Sequence, residues 1–168
     1  MRAPMKCTGL LCAGLLVIAA GCSGANSRVA THINQEAALT GNLPYNPLAW
    51  KVITSWIDEQ NGTMSTLFGN DAAVQYARNN SGHDYPSGAV LAAVTWSQQE
   101  DPRWFGAGIP SSPKSVEFVS VIKGADQKPS WSYEKYEGSP LKESSKAEAS
   151  VPGDRAAWLL AQRAAVMP

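Results

Sequence analysis

The 168-residue chain is 44% apolar and 17% charged, an ordinary globular mixture with room for one core. Its 14 basic and 14 acidic side chains balance, and no basic run interleaves with aromatics, which excludes a surface built to follow a phosphate backbone. No segment repeats at a solenoid or propeller period, so the expected partner is a small molecule or a protein rather than nucleic acid.

At the N-terminus, Arg2 and Lys6 make a positive start, and residues 9–20 follow as an uncharged stretch too short to span a bilayer without its flanks. The small residues Ala19, Ala20 and Gly21 then lead into Cys22. That is the pattern of an export signal, and Ile18, Ala19, Ala20, Gly21 and Cys22 resemble the lipobox of a bacterial lipoprotein. The resemblance implies cleavage between Gly21 and Cys22 and acylation of Cys22, palmitate included. Two or more acyl chains on one cysteine hold a protein stably on a membrane, where a single chain binds only marginally. Ser23 stands where proteins retained in the inner membrane typically carry aspartate, so the expected place is the periplasmic face of the outer membrane, ahead of the inner.

Of the three cysteines, Cys7 and Cys12 lie in the segment that would be removed and Cys22 is taken by lipid. No thiol is then left for a disulfide, a thiolate metal site, a cysteine nucleophile or a haem thioether. Residues 22–45 are small, polar and aperiodic apart from a short helical turn around 35–39, and read as a tether. Its last 23 residues reach roughly 80 Å at about 3.5 Å each.

The domain is expected over 46–168. Asn46 and Pro47 have the form of a helix start, and Trp50, Ile53 and Ile57, flanked by Val52 and Trp56, follow at helical spacing, so a core-facing helix is expected as far as the glycine turn at 60–62. Residues 63–69 read as a short strand. Asn70 caps a second helix over 71–80, with Ala73, Tyr76 and Ala77 inward, and the glycines and proline of 81–88 break it. Residues 89–98 are apolar on both faces, as a central strand is. Residues 114–124 alternate Val116 and Phe118 against Glu117, Val119 and Val121, residues 130–138 form another strand, and Asp154 opens a last helix. Strands that follow one another through short loops pair antiparallel, so the order predicts an α+β domain: an antiparallel sheet with helices on one face.

Residues 85–96 (YPSGAVLAAVTW), preceded by 67–78 (LFGNDAAVQYAR) and followed by the strands at 115–124 and 130–138, resemble the cytochrome P-460 domain family, which includes the cytochromes c-prime beta. The likeness runs over roughly 46–138. It implies a periplasmic α+β domain, a homodimer across the sheet, and a c-type haem that binds or processes hydroxylamine or nitric oxide. The haem-bearing members attach the group through a CxxCH near the C-terminus. This chain has DRAAWLLAQRA in that region. The lysine that cross-links haem in some members falls near Ala92 or Ala93. The expectation is a retained fold with neither attachment, hence no covalent haem and no metal.

Only two histidines are present. His32 lies in the tether and His83 in a glycine-flanked loop, where a lone imidazole is a weak candidate ligand and more often solvated. Glu100, Asp101 and Arg103 read as a solvated loop with a local ion pair of little worth. Trp96, Phe118, Trp131 and Tyr133 are the candidate pocket, with burial in the core as the commoner fate of such residues. No nucleophile, base and orienting partner can be assembled from motifs. The sequence therefore favours a non-enzymatic, lipid-anchored binding or interaction module over a nitrogen-oxide or hydroxylamine protein with non-covalent haem.

Overall fold

The structure is a computed structural model that describes residues 35–79, 84–124, 129–144 and 152–165. The chain divides after Ile33, and all the described residues belong to the second unit, Asn34–Pro168. Its centre is a six-stranded sheet in which every strand pairs antiparallel with its sequence neighbours. The strands are β1 (Lys51–Asp58), β2 (Thr63–Gly69), β3 (Val90–Glu100), β4 (Gly108–Lys123), β5 (Pro129–Glu137) and β6 (Lys142–Glu143). Two helices accompany them among the described residues, α1 (Asp71–Asn79) between β2 and β3 and α2 (Pro152–Leu160) after β6.

The central strands β3 and β4 bury both faces, which is why their sequences are apolar without a clean alternation. On one face Leu91, Ala93, Val119 and Val121 meet Ala73 and Val74 of α1 and Ala156, Leu159 and Leu160 of α2. On the other, Val90, Ala92, Val94, Trp96, Val116 and Phe118 form a second cluster. Both helices thus lie on one face, as the element order predicts. Leu67, Leu91, Val94, Val116, Phe118 and Leu159 are fully enclosed, each contributing roughly 1.5–3 kcal/mol of apolar burial.

Among the described residues, no α-helix covers the second face. It is covered by the segment that leads into β1: Ala37 is buried, and Leu39, Leu43 and Trp50 pack beside it. The Trp96 indole N–H donates to the Ala37 carbonyl at 2.9 Å, and Leu141 N–H donates to Thr40 O at 2.7 Å. Gly41 bridges Leu141 at a φ of 136°, and a Cβ there would collide with Leu141 O, so only glycine permits the approach. From Gln35 onward, the stretch read as tether is part of the packed unit.

One expected element is replaced. The helix predicted from Asn46 is a single 3-10 turn, Pro47–Ala49, capped by Asn46, and the chain then enters β1. The register shifts between Val52 and Thr54, and this bulge puts Ile53 on the same face as Thr54 and Trp56. Ile53 and Trp56 both reach the helix-covered core, so a bulged strand reproduces the three-residue spacing of a helix. Trp50 packs on the opposite face and Ile57 is exposed, which no single helix face would allow. The β-branched content of Val52, Ile53, Thr54 and Ile57 favours the strand.

Candidate functional site

Strand alternation puts Glu117 of β4 on the helix-covered face with Val119 and Val121, and leaves it only 4% exposed. A carboxylate among apolar side chains persists only where its oxygens are matched. Arg155 of α2 supplies the match in bidentate form: its Nε donates to Oε2 at 2.8 Å and its Nη2 to Oε1 at 2.9 Å. Tyr133, from β5, donates its hydroxyl to Oε2 at 2.7 Å.

The helix that brings Arg155 here is amphipathic. Ala156, Leu159 and Leu160 enter the core, and Arg155 and Trp158, three residues apart, share the neighbouring stripe. The Arg155 guanidinium carbon lies 4.5 Å from the centroid of the Trp158 ring, a cation–π contact. Trp158 stands edge-on to Trp56 of β1 at 5.1 Å. Hydrogen bonds to Glu117 hold the Arg155 guanidinium above its ordinary value against the opposing effect of burial. Burial first, and then the bond to Glu117, push the Tyr133 phenol well above its usual range. The Tyr133 phenol therefore stays neutral over the physiological range and donates to the carboxylate that Arg155 pairs.

Ala93 sits directly across from Glu117 in the β3–β4 register, and Ala92 pairs with Phe118 on the opposite face. Of the two positions at which the resemblance implies a haem cross-link, Ala93 therefore adjoins this carboxylate and Ala92 lies on the other face, each with only a methyl group to offer. Among the described residues there is no cysteine or histidine, no group of three potential metal ligands, and no buried side-chain polar atom without a partner. Glu117, Tyr133 and Arg155 are committed to one another. None of the described residues offers a haem a thioether or an imidazole, and they do not fit that group.

The four aromatics expected to line a pocket are not brought together. Trp96 and Phe118 belong to the second face, where Phe118 meets Tyr45, Trp50 and Tyr136 at centroid distances of 5.7, 6.5 and 5.8 Å. Tyr133 and Trp131 pair with Val119 and Val121 on the helix-covered face, and Trp131 is exposed. Residues two apart on one strand share a face, but a pocket drawn from three strands also needs the parities to agree across them. Asp101 and Arg103 form a loop pair at 3.8 Å, beside an exposed Glu100. Gly21, Cys22, His32 and His83 lie outside the described residues.

Sequence reasoning did not single out Glu117 and Arg155. The signal was one charge inside VEFVSV, at the parity of two buried valines, since glutamate is almost never buried unpaired. Its partner lies 38 residues on, beyond the reach of any local pattern.

A meander sheet, both helices on one face and a buried ion pair under the second helix define an α+β domain whose polar centre is internal. The family model for cytochrome P460 matches residues 45–152, most of the chain, and the chain belongs to the cytochrome P460 family. No curated protein matches it. The match ends where α2 begins, so Arg155 and Trp158 follow the matched residues.

Proposed function

We propose that this chain is a lipid-anchored, periplasmic member of the cytochrome P460 family that has lost covalent haem attachment and serves as a non-enzymatic binding or interaction module at the outer membrane. The observation that carries the reading is the Arg155–Glu117–Tyr133 cluster, in which both oxygens of the buried carboxylate accept from protein donors. Side chains of α2 occupy the face that Ala93 presents, one of the two positions at which the resemblance implies a haem cross-link. The anchor rests on the residues from Arg2 to Cys22.

Protein purified from a haem-supplied bacterial periplasm tests this. The expected result is no Soret absorbance that survives acidified-solvent extraction and denaturing electrophoresis, together with an acylated Cys22 by mass. A Soret band that survives both treatments overturns the loss of covalent haem, and a mature N-terminus other than Cys22 overturns the anchor.

A further inference from the structure

The β3–β4 hairpin projects past its neighbours and ends in the most exposed aromatic pair of the described residues. Trp104 is 70% exposed and Phe105 110%, more open than in an extended peptide. The tip is built rather than loose. Asp101 N–H donates to Ala107 O at 2.8 Å, Trp104 N–H to Asp101 O at 3.3 Å and Ala107 N–H to Trp104 O at 3.0 Å. The Asp101 carboxylate accepts from Arg103 N–H at 2.8 Å, and Gly106 turns the chain at a φ of 75°. Two successive turns thus hold both rings outward, at the cost of leaving them in water.

We propose that this tip is a membrane-contact point: Trp104 and Phe105 enter the interfacial layer of a phospholipid bilayer while Arg103 meets headgroup phosphate. Three observations select a bilayer over a protein. Two aromatic side chains bury roughly 300–500 Å², well short of the roughly 800 Å² each partner buries in a stable protein interface, and Glu100, Asp101 and Arg103 beside them are charged. Tryptophan beside a cationic side chain is what the membrane–water interface favours, and the Arg103 side chain is 54% exposed. The chain also enters the unit at the tip's end of the sheet, since Ala37 is bonded to Trp96, four strand residues or roughly 13 Å before the hairpin begins. Gln35 follows Cys22 by thirteen positions, a span of up to about 45 Å. An anchor at Cys22 would therefore leave the tip within reach of the same surface. Only this reach rests on the anchored reading.

The test uses Asn34–Pro168, which holds the whole sheet and both cores. It is attached to vesicles of phosphatidylethanolamine and phosphatidylglycerol through an N-terminal histidine tag on nickel-chelating lipid, so that tethering supplies the effective concentration that Cys22 acylation otherwise would. The expected result is quenching of tryptophan emission by brominated acyl chains. Trp104→Ser should abolish it, and Phe105→Ser should lower it at least twofold, with urea midpoints unchanged in both. No quenching in the parent, or equal quenching in Trp104→Ser, overturns the proposal. So does concentration-dependent dimerisation that Trp104→Ser abolishes in the absence of lipid, which would make a second copy the occupant. Acylation of Cys22, read by mass on the full chain, fails or holds independently of these outcomes.

Discussion

Glu117 is the residue on which the helix-covered face turns. Its burial is tolerable because Arg155 and Tyr133 answer it, and breaking such a pair from one side leaves a charge with nowhere to go. Arg155→Met should therefore destabilise the Asn34–Pro168 unit by about 3 kcal/mol, the low end of the usual range, because Arg155 is 36% exposed and water can follow it out. The triple variant Glu117→Leu, Tyr133→Phe, Arg155→Met should return to within about 1 kcal/mol of the parent. Urea midpoints decide between these outcomes, and a triple variant as weak as the single one would mean the cluster contributes something other than compensated charge. The phenols give the same face a pH signature. Tyr133 titrates above its ordinary value of 10.0, and burial raises Tyr85 to about 12. The folded state keeps both protons while the unfolded chain loses them, so stability is fully present below about pH 10 and is lost as pH rises toward 12 and beyond. Tyr133→Phe should flatten part of that alkaline slope in denaturation curves collected from pH 9 upward. An unchanged slope would show that the hydroxyl is open to solvent.

At the scale of elements, β2, α1, β3 and the two-faced β4 were legible because each carries its own signal: a short β-rich run, an asparagine cap, a continuous apolar stretch. β1 was not, because its bulge at Ile53 shifts parity and imitates helical spacing. The candidate pocket failed for a related reason, since which face Trp96 and Tyr133 occupy depends on inter-strand register and not on their own neighbours. Asn70 shows what a local signal can and cannot carry. Its cap was readable, with Oδ1 accepting from Ala73 N–H at 3.0 Å. The same oxygen also accepts from Val90 N–H at 3.2 Å, and Nδ2 donates to Gly88 O at 2.8 Å, tying α1 to the entry of β3. Asn70→Ala should thus cost about 2 kcal/mol, more than the typical cap of about 1 kcal/mol. Asn70→Asp, which keeps the two acceptor bonds and loses the donor, should fall between the parent and Asn70→Ala. Thermal melts of the three proteins test the order. A loss below about 0.5 kcal/mol in Asn70→Ala, the size of an ordinary surface change, would mean water replaces all three bonds.

For the whole unit, each face of the sheet is covered in part by chain outside the matched residues 45–152: α2, beside α1, on one side and residues 35–44 on the other. Two segments that the match largely omits thus complete the cover of the family's sheet, and the sequence concealed the segment 35–44 because it is short and without period. Its contribution is nonetheless specific. Removing it deprives the buried Trp96 indole of its acceptor and Leu141 N–H of Thr40 O, and uncovers the aromatic side of Phe118 and its neighbours. A chain beginning at Tyr45 should therefore unfold about 3 kcal/mol more easily than one beginning at Asn34, from two lost hydrogen bonds and the exposed apolar area. It should also bind a hydrophobic dye that the longer chain does not. Gly41→Ala in the longer chain should move in the same direction by pushing the segment off Leu141, without removing any residue that packs. Equal urea midpoints for the two chain lengths would show that residues 35–44 rest on the sheet without holding it, and would put the start of the folding unit back at the 3-10 turn.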